Sequence, residues 1–157
     1  MESYVINDAN IFFDIINLGL IDAFFRLPYK FSTINYVLRE VKNVEQYEVL
    51  QRYIENGMKI YEVDEVFKLI GANPQLRNQL SVTDKLVILH TKTFEKAMLL
   101  TGDMRMRRDA ESEGIIVKGI LFVFDELVRN GIITDVIACE KLNELMQTNP
   151  RLSRSKL

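Results

Sequence analysis

The sequence predicts an α/β chain, a three-layer α/β/α sandwich on a mostly parallel sheet of about five strands. Three observations predict it. Short apolar runs rich in β-branched residues alternate with stretches whose apolar residues recur at helical spacing, and this alternation implies parallel pairing through right-handed crossovers. The length of 157 residues suits one domain with a sizeable core. Apolar residues at 48% and charged residues at 27% are ordinary for a globular chain, and 7 glycines with 3 prolines are too few for a linker-rich one. The expected division is a domain over residues 1–148 and a polar, basic tail over 149–157.

The elements follow in order. Residues 3–7 read as a buried strand, and Asn10 to Leu18 as a helix. Gly19 restarts the chain, Leu20 to Leu27 form a second helix, and Pro28 ends it because its ring cannot continue the hydrogen-bond ladder. Phe31 to Thr33 is a very short strand. Val37, Leu38, Val41 and Val44, then Leu50, Tyr53 and Ile54, mark a helical pair or one long helix closed by Gly57. Lys59 to Val63 is a third strand, and Asp64 to Ile70 a short helix stopped near Gly71 and Pro74. Ser81-Val82-Thr83-Asp84 has the pattern of a capped helix start ahead of Leu86, Val87, Ile88 and Leu89. Ala97 to Thr101 is a strand, Asp103 to Glu113 a helix, Ile115 to Lys118 a strand, Gly119 to Arg129 a helix, and Thr134 to Met146 the last helix.

Composition narrows the chemistry. With 22 acids against 20 bases the formal charge is -2, so no overall basic field draws the chain to nucleic acid, and any such partner is held locally. Met1-Glu2-Ser3 is no basic leader, and Asp14 and Asp22 interrupt the apolar stretch from Ile11 to Phe25. Neither a signal peptide nor a membrane span is expected, and the expected location is cytoplasmic. Cys139 is the single cysteine and His90 the single histidine, which excludes an internal disulfide and a cysteine-based zinc cluster.

The acids fall in a pattern. In an open parallel sheet, ligands gather beyond the carboxyl ends of the strands. Asp8 and Asp103 each follow a predicted strand directly, Asp84 sits in the first turn of its helix, and Glu40 lies about 60° from Val37 around its own. All four are expected on one cleft. Carboxylates so gathered repel each other, at a cost that a cation relieves. Since oxygen is the only plentiful donor, the cation expected is Mg²⁺ or Mn²⁺. Such an ion polarises a phosphodiester and lowers the pKa of an attacking water, so phosphodiester hydrolysis is the expected reaction.

The stretches "VINDAN", "TINYVLREV", "LSVTDKLVI" and above all "LLTGDMRMRRDAESEGIIVKG" resemble the PIN-domain nucleases, a family that includes the toxin halves of many bacterial toxin-antitoxin pairs. The resemblance spans nearly the whole chain. It implies an acidic, metal-binding and catalytic site of Asp8, Glu40, Asp84 and Asp103. Asn10 falls at the polar position after the first acid and Thr101 at the hydroxyl before the last, where, with Ser81, they would orient the ligands. The implied activity is Mg²⁺- or Mn²⁺-dependent cleavage of RNA, usually single-stranded, leaving a 5′-phosphate and a 3′-hydroxyl. Implied partners are the RNA substrate, an antitoxin protein and a second copy of the chain. Asn7 and His90 depart from the family pattern, one polar where an apolar residue is common, the other at a helix position where small residues are frequent.

Each feature also has a purely structural reading. Asp8 and Asp103 are good N-caps and Asp84 completes a capping box with Ser81, each worth about 1 kcal/mol. Arg105, Arg107 and Arg108 sit early in a helix, where the macrodipole disfavours cations. They either pair with Asp109 and Glu111 at i,i+4 spacing or, with Lys85, meet RNA phosphates. His90, alone in mid-helix, is expected to pack. Phe12, Phe13, Phe24 and Phe25 are expected in the core, with a dimer or antitoxin surface as the alternative. The other function classes are a non-catalytic RNA-binding or partner-binding scaffold and a phosphatase or nucleotide-binding domain. Asp8-x-Asn10 lacks the second aspartate of a haloacid-type phosphatase, and no glycine-rich phosphate loop is present.

Overall fold

The computed structural model describes residues 3–76 and 79–148. Five strands, β1 (Tyr4–Asn7), β2 (Lys30–Ile34), β3 (Lys59–Tyr61), β4 (Ala97–Leu100) and β5 (Ile116–Lys118), form one sheet in the order β3-β2-β1-β4-β5. All its pairings are parallel. The helices are α1 (Ala9–Asn17), α2 (Ile21–Phe25), α3 (Asn35–Arg39), α4 (Val44–Glu55), α5 (Val66–Gly71), α6 (Val82–Lys92), α7 (Met104–Ser112), α8 (Ile120–Arg129) and α9 (Asp135–Thr148). The expected sandwich on a parallel sheet is the observed one. Residues 149–157, read above as a tail, lie outside the described residues.

Successive residues of β2 show the layers. The Phe31 ring meets Phe24 of α2 at 4.9 Å, while the Ser32 hydroxyl points the other way, 2.9 Å from His90 Nε2 on α6. The sheet is therefore covered on both faces, which is why its central strands bury successive residues rather than alternate ones. Val5, Ile6, Ile34, Leu99 and Leu100 are all buried. The edge strand β3 is largely exposed and ends at Tyr61, two residues short of its predicted end.

The region from Ile34 to Gly57 resolves into a helical pair. Asn43 decides it by accepting from the Gln46 backbone N–H at 3.0 Å, which starts α4 afresh. Between β3 and α5, Glu65 adopts φ 50, a left-handed conformation that a side chain disfavours, and α5 begins one residue later, at Val66. The phenylalanines divide: Phe12 and Phe24 are buried, whereas Phe13 and Phe25 are half-buried. Phe25 stacks on Tyr53 at 4.2 Å and meets the Phe31 ring at 4.8 Å, so one intramolecular aromatic cluster occupies much of this surplus. His90 is buried in packing contacts with Tyr61 and Phe94, as its lone mid-helix position predicts.

Tyr29 ties the turn between α2 and β2 to α8. Its hydroxyl donates to the buried Glu126 carboxylate, which Arg129 also holds, and burial with this acid pushes the phenol up to about 12. Tyr29→Phe is expected to destabilise the protein by about 1–3 kcal/mol, because the buried carboxylate loses a donor that water cannot replace. Urea unfolding measures it, and a change below about 0.5 kcal/mol would mean that Arg129 alone satisfies Glu126. Among the described residues no helix is long and apolar enough to cross a membrane.

Candidate metal centre

The strand order places a switch point between β1 and β4, since the chain continues from β1 to β2 on one side and from β4 to β5 on the other. A crevice opens beyond the carboxyl ends of two such strands. Asp8 and Thr101 are the first residues past those ends.

The Asp8 backbone N–H donates to the Leu100 carbonyl at 2.9 Å, carrying the ladder one step past β1. Its extended backbone makes it the N-cap of α1, and Oδ1 accepts from the Asn10 backbone N–H at 3.2 Å. Oδ2 accepts from the Thr101 hydroxyl at 2.8 Å. Thr101 is buried, and its Oγ1 accepts in turn from the Asp103 backbone N–H at 3.1 Å. A hydroxyl has one proton to give. Because that proton is spent on Asp8, Thr101 fixes the Asp8 carboxylate as an acceptor and ties it to the chain leading into α7. Asp103 caps α7, its Oδ1 accepting from Arg105 N–H at 2.8 Å and Met106 N–H at 3.3 Å.

Asp84 and Glu40 approach from other elements. Asp84 lies in the first turn of α6, where its N–H donates to the Ser81 hydroxyl oxygen at 3.0 Å. Its carboxyl is pushed up to about 6, chiefly by burial, then by the charge of Asp8, with Asp103 and Glu40 adding to it and a hydrogen bond with Ser81 opposing. Glu40 caps the end of α3 rather than lying within it. Its carboxyl is also raised, by withdrawal from water and by Asp8, against a hydrogen bond from Thr83 that lowers it. The four acids, on four separate segments of chain, therefore meet electrostatically at Asp84. As the side chains stand, no three His, Cys, Asp or Glu groups among the described residues converge tightly enough to hold a metal ion.

The remaining predicted residues sort by position. Asn10 is exposed and acts through its backbone N–H. Ser81 is an exposed cap, and Lys85 follows Asp84 on α6, half-buried. Arg105 and Arg108 are exposed, whereas Arg107 is half-buried, with a guanidinium nitrogen 3.9 Å from where a Cβ at Gly119 would sit. Neither Arg105 nor Arg107 forms an ion pair among the described residues. Of the two readings of these cations, the i,i+4 pairs with Asp109 and Glu111 are thus not formed among the described residues, and the phosphate reading stands without that competitor. Thr83 was not anticipated as the partner of Glu40. Its place between Ser81 and Asp84 is visible in the sequence, but the approach of α3 to the start of α6 is not.

A family model described as a PIN domain matches residues 4–157. Among solved structures, the chain is similar to a PilT N-terminus domain protein, SSO1118, from the hyperthermophilic archaeon Sulfolobus solfataricus P2, at 10% identity and TM-score 0.50, over 80% of this chain and 93% of that one. It also aligns with the PIN domain endonuclease Utp24 at 11% identity and TM-score 0.47, over 74% of this chain and 84% of that one. No curated protein sequence matches the chain.

Proposed function

The chain belongs to the PIN domain family, and on that premise we propose that it is a Mg²⁺- or Mn²⁺-dependent ribonuclease that hydrolyses phosphodiester bonds of single-stranded RNA. The observation that carries this reading is the crevice beyond β1 and β4, where the Thr101 hydroxyl links Asp8 to the Asp103 backbone and the charges of Asp8, Asp103 and Glu40 all reach the Asp84 carboxyl. Such a cluster is costly alone and is relieved by a divalent cation, and its all-oxygen donors suit a hard one. By donor type and mutual repulsion the residues suit the ion, and a bound cation would have to draw their side chains closer than they stand.

Asp8, Asp84 and Asp103 would hold the metal, with Glu40 binding it directly or through water. When bound, the cation supplies positive charge to the scissile phosphate and lowers the pKa of the attacking water. Thr101 keeps the Asp8 carboxylate turned toward the β4 end, and a hydrogen bond with Thr83 ties Glu40 to the start of α6. Water adds to phosphorus, the bond to the 3′-oxygen breaks, and that oxygen takes up a proton, leaving a 5′-phosphate and a 3′-hydroxyl. Arg105 and Arg108, exposed at the start of α7, and Lys85 would meet RNA phosphates, an anionic partner that relieves cations placed against the helix dipole. The reading extends to a toxin restrained by an antitoxin protein, supported by the resemblance to toxin members of the family.

A second reading, a non-catalytic scaffold for RNA or a partner, draws on the open arrangement of the acids. Calorimetric titration of Mn²⁺ into metal-free protein, with Asp103→Asn alongside, separates the two without knowledge of the RNA target. Saturable binding that the variant loses is expected. Absence of binding to the wild type would return the acids to capping roles and leave the scaffold reading standing.

A further inference from the structure

Asn7, the last residue of β1, and Thr33, the last but one of β2, carry polar atoms that the surrounding protein does not satisfy. Their exposures are 1% and 0%, and neither Asn7 Nδ2 nor Thr33 Oγ1 has a hydrogen-bond partner among the described residues. The parallel register sets Val5 beside Phe31 and Ile6 beside Ser32, so one step further along it sets Asn7 beside Thr33. Side chains alternate along a strand. Both therefore share the face of Val5 and Phe31, the one toward α2, and lie across the sheet from His90.

Two orphaned polar groups at one spot are a different matter from two scattered ones. Each alone would cost a sizeable part of the net stability of a small protein. Together they supply a donor and a hydroxyl that both gives and accepts, on adjacent strands, and as the side chains stand they do not bond each other. Buried waters are found where two or more such groups face one small polar space.

We propose that Asn7 and Thr33 form a binding site for a single internal water molecule, clasped between the carboxyl ends of β1 and β2. The water accepts from Asn7 Nδ2 and bonds the Thr33 hydroxyl. Its place gives it a consequence beyond stability. Asp8 follows Asn7 directly, and Thr33 leads through Ile34 into α3 and Glu40, so the clasp sets the separation of the two strand ends that deliver these acids. The inference stands whether or not the acids bind metal.

A high-resolution crystal structure of the wild-type protein tests it, together with thermal unfolding of Thr33→Val, Thr33→Ser, Asn7→Leu and the Thr33→Val/Asn7→Leu double variant. Expected are an ordered water within hydrogen-bond distance of both groups, a fall in Tm of about 3–6 °C for Thr33→Val, and little change for Thr33→Ser, which keeps the hydroxyl. The double variant should lose less than the two single losses combined, since removing one group strands the other. A direct Asn7–Thr33 bond in the crystal would overturn the proposal. So would a rise in Tm for Thr33→Val, the signature of a dry and unpaired hydroxyl.

Discussion

Asp8→Asn is expected to lower Mn²⁺-dependent cleavage of mixed single-stranded RNA by roughly 10³-fold while leaving the thermal stability of the metal-free protein within about 0.5 kcal/mol or slightly raised. The size follows from the several kcal/mol of charge stabilisation that a correctly held cation gives a phosphoryl transition state. Separating the two effects is possible because of what Asn keeps. As an N-cap, Asn is as good as Asp, so its Oδ1 still accepts from the Asn10 N–H, while its amide nitrogen, standing in for Oδ2, donates to the Thr101 hydroxyl oxygen. What it lacks is the charge. If Asp8 were only a helix cap, its replacement by Asn would be silent in every assay. Cleavage that persists in Asp8→Asn at the wild-type rate would place the chemistry elsewhere, and a collapse of stability instead would mean that the charge is held by the fold.

The same contrast explains why part of this site is legible in the sequence and part is not. Asp8, Ser81 and Asp103 announce themselves because a cap is a local event: an acid or hydroxyl at the end of one pattern and the start of the next. Their common address follows from the strand order, which alternation along the chain implies. Asn43 carries a similarly local signal, and its side chain is what divides α3 from α4. Contacts between segments far apart in sequence carry no such mark. The hydrogen bond between Thr83 and Glu40, the Tyr29 hydroxyl on Glu126, and the adjacency of Asn7 to Thr33 each depend on how two separately legible elements come to lie side by side. Glu40 shows the limit well. Its type and approximate position are readable, yet it ends a five-residue helix instead of riding on the flank of a longer one. Arg107 is another case, since its half-buried guanidinium lies beside Gly119, a neighbour that its own stretch of sequence does not announce.

Metal-free protein is expected to show a shallow dependence of stability on pH between about 4 and 6.5 that conceals two opposing contributions. Burial lowers the His90 imidazole from 6.5 to about 4, so on acidification the unfolded chain takes up a proton that the folded one refuses. Stability present above 6.5 is thereby lost as pH falls toward 4, by about 3 kcal/mol in all. Asp84 works the other way. Its carboxyl is raised from 3.8 to about 6, so its contribution is fully present below 3.8 and is lost as pH rises through 6. Discounted for partial exposure, that amounts to about 1–2 kcal/mol. Asp84→Asn should therefore raise the neutral-pH stability of metal-free protein and steepen its loss on acidification, whereas His90→Gln should reverse the slope. Chemical unfolding across this range reads both. Mn²⁺ should stabilise the wild type at neutral pH and do nothing for Asp84→Asn, because an ion that binds only the folded site raises its stability by mass action. A neutral-pH loss of stability in Asp84→Asn would show that this carboxylate is held by favourable partners instead of being crowded by other acids. Crowding is the property on which the proposed cation site rests, and this variant measures it with no RNA present.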